Sequence, residues 1–116
     1  MSDADLPASH GRMPDERRKR STEVLDQPEQ EVRLPPVFRV VLHNDDYTTM
    51  EFVVQVLETV FLMHPAEAFR VMMQVHQNGR GVCGVYPLEI AETKVGLVHG
   101  LARERGYPLR ASVEDV

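Results

Sequence analysis

The chain has 116 residues and a formal net charge of −5, and 42% of its side chains are apolar, which is the composition of a single domain with one core. This acidic balance argues against a general affinity for nucleic acid or anionic lipid, both of which select basic surfaces. No stretch approaches the ~18–20 apolar residues of a membrane span, and the first residues lack the apolar centre of a signal peptide, so we expect a cytoplasmic location.

The first 36 residues differ in composition from the rest of the chain. They hold five of the eight prolines and no aromatic residue, whereas residues 37–116 hold all seven aromatics and forty apolar side chains. A segment with so little apolar surface cannot offset the entropy that it would lose on ordering. We therefore expect residues 1–36 to be a flexible N-terminal extension and residues 37–116 to be the folded domain.

The folded domain opens with a mostly β-branched run over residues 37–42, which predicts a buried strand. Polar residues 43–46 end this strand. Thr48 and Glu51 have the spacing of a capping box, in which each side chain accepts a hydrogen bond from a backbone amide at the start of a helix. The first helix is therefore predicted to begin at Thr48.

The next two elements are predicted to be helices. Apolar side chains recur at helical spacing along the first of them, at Met50, Val53, Val54, Leu57, Val60 and Phe61. His64 and Pro65 are predicted to end this helix and to start the second, because proline is favoured at the first helical position. Asn78 and Gly79 then form a typical left-handed end for the second helix.

The remainder of the chain predicts a strand, a third helix and a last strand. Residues 81–86 form the strand, and Pro87 opens the helix, which ends at Gly106. Residues 109–113 form the last strand. The order βααβαβ belongs to the α+β class, and each element has only one apolar side to bury. We therefore expect one three-stranded sheet with three helices packed on one face.

A polar loop over residues 43–46 lies between the first strand and the first helix. Loops that are held by rigid elements commonly carry function, although an ordinary turn would also favour asparagine and aspartate here. The residue types alone are consistent with both a functional loop and an ordinary turn.

Two helix faces would enclose an apolar hole beside this loop. Met50 and Val53 lie on the first two turns of the first helix, and the spacing of Met72, Val75 and His76 places them on one face of the second. If the two helices form a hairpin, these faces converge and leave a small apolar hole with polar groups at its mouth. The same methionine and histidine pattern is also typical of an ordinary core.

Two chemical alternatives use the same polar residues. A metal site would have His43, Asp45, Asp46 and His76 available, but without the spacing of a known motif. A hydrolase built on an aspartate and a histidine would lack a nucleophile placed by motif, and no glycine-rich phosphate loop occurs. We therefore predict no catalytic residue, metal or cofactor, and we expect Cys83 to be a small buried packing residue.

Five longer motifs make the chain recognisable. They comprise residues 41–48, 50–53, 75–76, 81–85 and 91–95, and they occur in order within residues 38–113. Together they resemble the ClpS family, the adaptors of the bacterial N-degron pathway. The resemblance implies a βααβαβ domain like the C-terminal domain of a ribosomal stalk protein, preceded by a flexible extension. Because the two share this element order, a ribosome-associated interaction domain is a further alternative.

The resemblance implies an adaptor and not an enzyme. ClpS-like proteins capture proteins whose first residue is Leu, Phe, Tyr or Trp, and they deliver them to the AAA+ unfoldase ClpA for degradation by ClpP. The implied partners are N-degron proteins and peptides and the N-terminal domain of a ClpA-type unfoldase, with no nucleic acid and no membrane. The alternative from another class is a small metal-dependent or Asp/His hydrolase.

The resemblance also implies roles for individual residues. Those that would hold the substrate's free α-amino group are Asn44, Asp46 and His76, with Asp45 adding negative potential. Those that would line the hydrophobic pocket are Thr48, Met50, Val53, Met72, Val75 and Leu109. Glu89 and Lys94 match positions through which the family docks on the unfoldase. Thr49 replaces a proline that is common in relatives, and no pocket group is lost by this change.

Overall fold

A computed structural model describes residues 33–116, of which residues 35–116 form one compact unit. The elements in chain order are β1 (Val37–His43), α1 (Met50–Thr59), α2 (Pro65–Asn78), β2 (Arg80–Pro87), α3 (Leu88–Arg105) and β3 (Arg110–Asp115). The predicted α+β class and βααβαβ order are therefore confirmed. Most of the predicted N-terminal extension falls outside the described residues, and its flexibility stays a prediction.

The strands form one antiparallel sheet with β1 in the centre, flanked by β2 and β3. Side chains alternate between the two faces of a strand. Val40 and Leu42 therefore point to the same face, and both belong to the core cluster that the helices complete. β2 carries one extra residue, Cys83, where the pairing passes from Val40 to Val41.

The start of α1 differs from the prediction by one residue. The N-cap is Thr49, whose hydroxyl accepts a hydrogen bond from the Phe52 amide at 3.1 Å. The hydroxyl of Thr48 instead donates to the Asp45 carboxylate at 2.8 Å. The predicted capping box at Thr48 and Glu51 is therefore wrong, because the loop aspartate engages the first of two adjacent threonines and leaves the second to cap the helix.

The end of α1 also differs from the prediction. The helix stops at Thr59, and the chain then turns through Leu62, which has a left-handed backbone conformation with φ of 57°. The Met63 amide closes this turn by donating to the Leu57 carbonyl at 3.1 Å. The predicted continuation to His64 is wrong because Val60 and Phe61, which follow the helix, are still buried in the core, so the apolar pattern outlasts the helix.

The remaining predicted helix boundaries agree with the structure. Pro65 is the first residue of α2, behind His64, whose Nδ1 accepts a hydrogen bond from the Ala66 amide. Gly79 and Gly106 end α2 and α3 with φ of 88° and 75°, a conformation that costs glycine little.

The core lies between the sheet and the helices. The largest fully buried side chains are Leu42, Leu57, Val40, Val41, Val56, Val71 and Val98. Cys83 is buried as predicted, and burial raises the pKa of its thiol to about 12. The thiol is therefore protonated at neutral pH and acts as a packing group.

Candidate binding cavity

A cavity of about 230 Å³ opens where the loop after β1 meets α1 and α2. Its lining combines carboxylate, amide, hydroxyl and imidazole groups with valine and methionine side chains. The lining residues are Asn44, Asp45, Asp46, Thr48, Met50, Val53, Met72, Val75 and His76. The structure thus brings together nine of the ten residues to which the resemblance gives a ligand-binding role.

The tenth of these residues is Leu109, which precedes β3. Its side chain is buried in the core cluster with 4% exposure, and it does not belong to the cavity lining. Leu109 is as buried as the lining residues Val53, Met72 and Val75, and its contact with a ligand stays a prediction.

The loop is tied to the end of α2 by a backbone hydrogen bond. The Asn44 amide donates to the carbonyl of Gly79 at 2.9 Å. Gly79 is the left-handed C-cap of α2, and His76 lies in the last turn of that helix. This bond fixes the mouth of the cavity, because it joins the loop that carries Asn44 to the helix end that carries His76.

Asp45 organises the loop itself. One carboxylate oxygen accepts hydrogen bonds from the amides of Tyr47 at 2.8 Å and Thr48 at 2.7 Å, and the other accepts from the Thr48 hydroxyl at 2.8 Å. Burial raises the pKa of Asp45, but these three hydrogen bonds outweigh it and hold the pKa below its ordinary value. Asp45 is therefore a fixed negative charge whose two oxygens are both engaged within the loop.

Three other polar side chains at the mouth are available to a ligand. Asn44, Asp46 and His76 are exposed, and within residues 33–116 their side chains make no hydrogen bond or ion pair. An amide oxygen, a carboxylate and an imidazole nitrogen are all hydrogen-bond acceptors when the imidazole is neutral. The mouth therefore offers acceptors and negative charge, a combination suited to a cation that carries several donors.

The apolar wall comes from both helices. Val53 from α1 and Met72 and Val75 from α2 are buried, so their positions are fixed by the core. Met50, at the start of α1, is 44% exposed and stands at the rim. The depth of the cavity is therefore rigid, whereas its rim carries an unbranched and adaptable side chain.

Gly81 brings β2 close to α2, a contribution that the sequence analysis did not assign. A Cβ atom on Gly81 would lie 2.8 Å from Val75 Cγ2 and 3.3 Å from the Val71 carbonyl oxygen. The available signal was the glycine at the start of the predicted strand, because glycine in a strand often marks the close approach of another backbone.

The two predicted docking residues lie on α3, outside the cavity. Glu89 is exposed in the first turn of the helix. Lys94 is partly buried: its Nζ donates to the Val60 carbonyl at 2.7 Å and lies 5.6 Å from the ring centroid of Tyr86. Lys94 thus ties α3 to the end of α1, whatever else it contacts.

A larger groove of about 570 Å³ lies between α1 and α3, with Phe52, Leu97 and Leu101 among its lining residues. Its charged members include Glu104 and Arg105, and no cluster of acceptors comparable to that of the smaller cavity lines it. Size alone does not identify a binding site. We therefore take the smaller cavity as the candidate site, because acceptors converge there beside apolar side chains.

The described residues do not assemble a metal centre. Across residues 33–116, no three histidine, cysteine or carboxylate side chains are grouped so that they could hold a metal ion. Over the same range, none of the three helices combines the length and the apolar character that crossing a bilayer requires. The fold and the cavity define the class as a small α+β domain with a candidate binding site.

Comparison with known proteins gives this domain its family. Residues 33–112 match the family model described as ATP-dependent Clp protease adaptor protein ClpS. The chain is 61% identical over 97 residues to the adapter protein ClpS of Nitratidesulfovibrio vulgaris strain Miyazaki F, covering 84% of this chain and 95% of that protein. It is 59% identical over 80 residues to ClpS of Desulforapulum autotrophicum, covering 69% and 77%.

A solved structure gives the same result. Agrobacterium tumefaciens ClpS2 bound to L-phenylalaninamide aligns with a TM-score of 0.69 and 42% identity, over 72% of this chain and all of that one. The chain belongs to the ClpS family. It is therefore an adaptor that delivers N-degron substrates to the ATP-dependent Clp protease, and not an enzyme, which confirms the predicted function and removes the hydrolase alternative.

Proposed function

We propose that the cavity binds the first residue of a substrate by two features at once: its free α-amino group at the mouth and its bulky unbranched or aromatic side chain in the apolar depth. The nine lining residues are the binding site in this proposal. Leu, Phe, Tyr and Trp are the first residues that it accepts.

The mouth suits an α-amino group. Near neutral pH this group is largely cationic and carries three N–H donors. Asn44, Asp46 and His76 supply an amide oxygen, a carboxylate and an imidazole nitrogen, all without competing partners among the described residues. Asp45 adds a fixed negative charge behind them. An acetylated or internal residue lacks the charge and two of the donors, so burying it here would leave acceptors unpaired at about 1–3 kcal/mol each.

The depth suits one side chain. The volume of the whole cavity, about 230 Å³, lies below the about 300–1,000 Å³ of pockets for drug-sized ligands. Burying a leucine or phenylalanine side chain contributes about 1.5–3 kcal/mol, which is too little for useful affinity alone. The ligand of the related Agrobacterium tumefaciens ClpS2, L-phenylalaninamide, has both a free α-amino group and an aromatic side chain. With both features, micromolar affinity near −8 kcal/mol is the expected scale.

The observation that carries the proposal is the convergence of exposed acceptors and buried apolar side chains on one cavity. Fluorescence anisotropy with Leu-first and Phe-first peptides tests it. His76→Ala is expected to weaken binding by at least about tenfold, since it removes an acceptor of a charged donor. Gln77→Ala, an exposed neighbour outside the lining, serves as the control and should bind normally. Normal binding by the His76 variant would remove this residue from the site.

The N-terminal domain of a ClpA-type unfoldase is the proposed protein partner, and Glu89 and Lys94 are its proposed contacts. Glu89→Ala should weaken binding to that isolated domain without changing peptide affinity, because Glu89 is exposed and lies outside the cavity. Lys94→Ala should also lower stability, because it removes the hydrogen bond to Val60. Unchanged partner binding by the Glu89 variant would place the docking surface elsewhere. The cytoplasmic location predicted from the sequence belongs to the same proposal.

A further inference from the structure

The sheet face opposite the helices carries a row of basic side chains. Alternation places Arg39, Val41 and His43 on this outer face of β1, since Val40 and Leu42 point to the core. His43 pairs in register with Arg80 of β2 on one side and with Arg110 of β3 on the other.

Carboxylates neutralise only part of the positive charge of this row. Residues 37–116 carry seven basic and ten acidic side chains, so the domain as a whole is acidic. On the outer face, Glu114 forms an ion pair with Arg80. Within residues 33–116, no carboxylate lies within ion-pair distance of Arg110, which is exposed. An excess positive charge therefore remains at the end of the sheet where β1 leads into the cavity loop.

The Arg80–Glu114 ion pair runs diagonally across this face, because Arg80 lies opposite His43 and Glu114 lies opposite Arg39. It joins β2 to β3, so it must pass over the central strand, and Val41 beneath it is fully buried. Arg80 is still half-exposed, and a guanidinium has five N–H donors, so most of them remain available.

A histidine and a serine lie inside the row. His43 Nε2 and Ser112 Oγ are 2.6 Å apart. The charged groups that face His43 are Arg80 from β2, and Arg110 and Glu114 from β3, with Arg39 further along β1. Burial is the largest cause that lowers the pKa of His43, followed by Arg110 and Arg80, while Glu114 acts in the opposite direction. Burial first, and then the two arginines, whose charge Glu114 only partly balances, therefore favour the neutral imidazole.

We propose that Arg80, Arg110 and the His43–Ser112 pair form an oxyanion site that takes a phosphate group, either as the free ion or as the monoester of a small molecule. Arginine guanidinium groups match the oxygens of a tetrahedral anion, and three neighbouring strands present their donors side by side on this face. When His43 Nε2–H donates to Ser112, the serine hydroxyl is free to donate to the anion.

Anion binding and protonation of His43 support each other in this arrangement. A bound dianion offsets the two arginines and raises the affinity of His43 for a proton. By reciprocity, a protonated His43 binds the anion more tightly. The site lies on the opposite face of the sheet from the cavity, so it goes beyond the proposed peptide-binding function.

The test is an NMR titration of the full chain at constant ionic strength, with inorganic phosphate, glycerol 2-phosphate and sulfate as probes and chloride as the reference. Sulfate keeps its charge throughout the titration range, so it isolates the protonation of His43. We expect saturable shifts of the His43 ring signal, a rise of the His43 pKa in the presence of sulfate, and sulfate binding about tenfold tighter at pH 5.5 than at pH 8. Binding of the ester as well as the free ion identifies a monoester site, and binding of inorganic phosphate alone identifies a free-ion site.

Arg110→Gln is the decisive variant, because it removes the unpaired cation and leaves the core intact. It should weaken anion binding about tenfold and abolish the sulfate-dependent shift of the His43 pKa. Arg103→Gln, which changes an exposed arginine of α3, is the matched control and should leave both unchanged. An identical response of the Arg110 variant and the unaltered chain, or a His43 pKa that sulfate leaves unmoved, overturns the proposal. Leu-first peptide binding, measured on the same samples, reports on the cavity separately.

Discussion

At the residue scale, two adjacent aspartates have different surroundings. Asp45 accepts three hydrogen bonds from its own loop, whereas the Asp46 side chain is exposed and has no partner within residues 33–116. A carboxylate that satisfies backbone amides stabilises the loop, and one without partners is available to a ligand. The same residue type therefore has a structural role at one position and a proposed binding role at the next.

Alanine substitutions should separate these two roles. Asp45→Ala is expected to lower the free energy of unfolding by about 1–3 kcal/mol, because it leaves the Tyr47 and Thr48 amides without their partner, and also to weaken peptide binding. Asp46→Ala should weaken peptide binding with little change in stability. Urea unfolding and peptide anisotropy on both variants measure the two effects. Equal loss of stability in the two variants would contradict this division.

Met50 has a proposed role in selectivity. It is half-exposed at the rim of the cavity, above the buried side chains of Val53 and Met72. We propose that Met50 narrows the entrance, where a side chain branched at Cβ needs width. Met50→Ala is therefore expected to admit Ile-first and Val-first peptides while retaining Leu-first binding, as measured by competition anisotropy. Unchanged discrimination between Leu and Ile would assign selectivity to another residue.

The sequence predicted which residues lie at the mouth of the cavity more accurately than it predicted the hydrogen bonds that they make. Residue types and the family resemblance singled out nine residues that line one cavity, and the ligand contact of Leu109 stays a prediction. They did not predict that Thr48 bonds to Asp45 while Thr49 caps α1, because both threonines are good caps and only the fold of the loop distinguishes them.

At the element scale, the close packing of β2 against α2 supports the cavity. Gly81 allows this approach, and Val75, which it contacts, is part of the cavity lining. The distance between strand and helix therefore sets the position of one wall.

Gly81→Ala should be destabilising by about 1–3 kcal/mol, because the added methyl group would lie 2.8 Å from Val75 and close to the Val71 carbonyl. Peptide affinity should fall as well, since Val75 must move. The matched control is Gly96→Ala in the interior of α3, where nothing lies within 4 Å of the added atom. That change should instead stabilise the protein by about 0.5–1 kcal/mol. Thermal unfolding of both variants checks the opposite signs.

Helix ends were predictable where the residue type determines the backbone conformation at the boundary. Pro65, Gly79 and Gly106 mark boundaries through a fixed φ or a left-handed cap, and the structure agrees at all three. The end of α1 carries no such mark. Leu62 adopts a left-handed conformation that leucine rarely takes, so tertiary packing imposes this turn and local sequence does not reveal it.

At the scale of the whole molecule, the sequence predicted the fold class, the order of elements and the adaptor function. Hydrophobic periodicity was sufficient to predict the type and order of the helices and strands. The sequence motifs were sufficient to identify the family. The distance between β2 and α2 and the anchoring of Lys94 to the end of α1 depend on contacts between segments distant in sequence, which periodicity does not encode.

Residues 1–36 have a proposed role in delivery. Their composition predicts a flexible segment of roughly 30–35 Å end to end, which the unfoldase could grip while the folded domain stays intact. Deleting residues 1–30 should therefore leave peptide affinity unchanged and abolish degradation of an N-degron reporter in a reconstituted Clp protease assay. Full degradation with the shortened chain would show that these residues are dispensable for delivery.

The most direct measurement of the central claim is an anisotropy comparison of three peptides that differ only at their first residue. A Leu-first peptide presents both required features, its N-acetylated form retains the side chain without the cation, and a Ser-first peptide retains the cation without the apolar group. The account predicts micromolar binding of the first and at least about tenfold weaker binding of each of the others. Equal binding of the acetylated and free Leu peptides would contradict it.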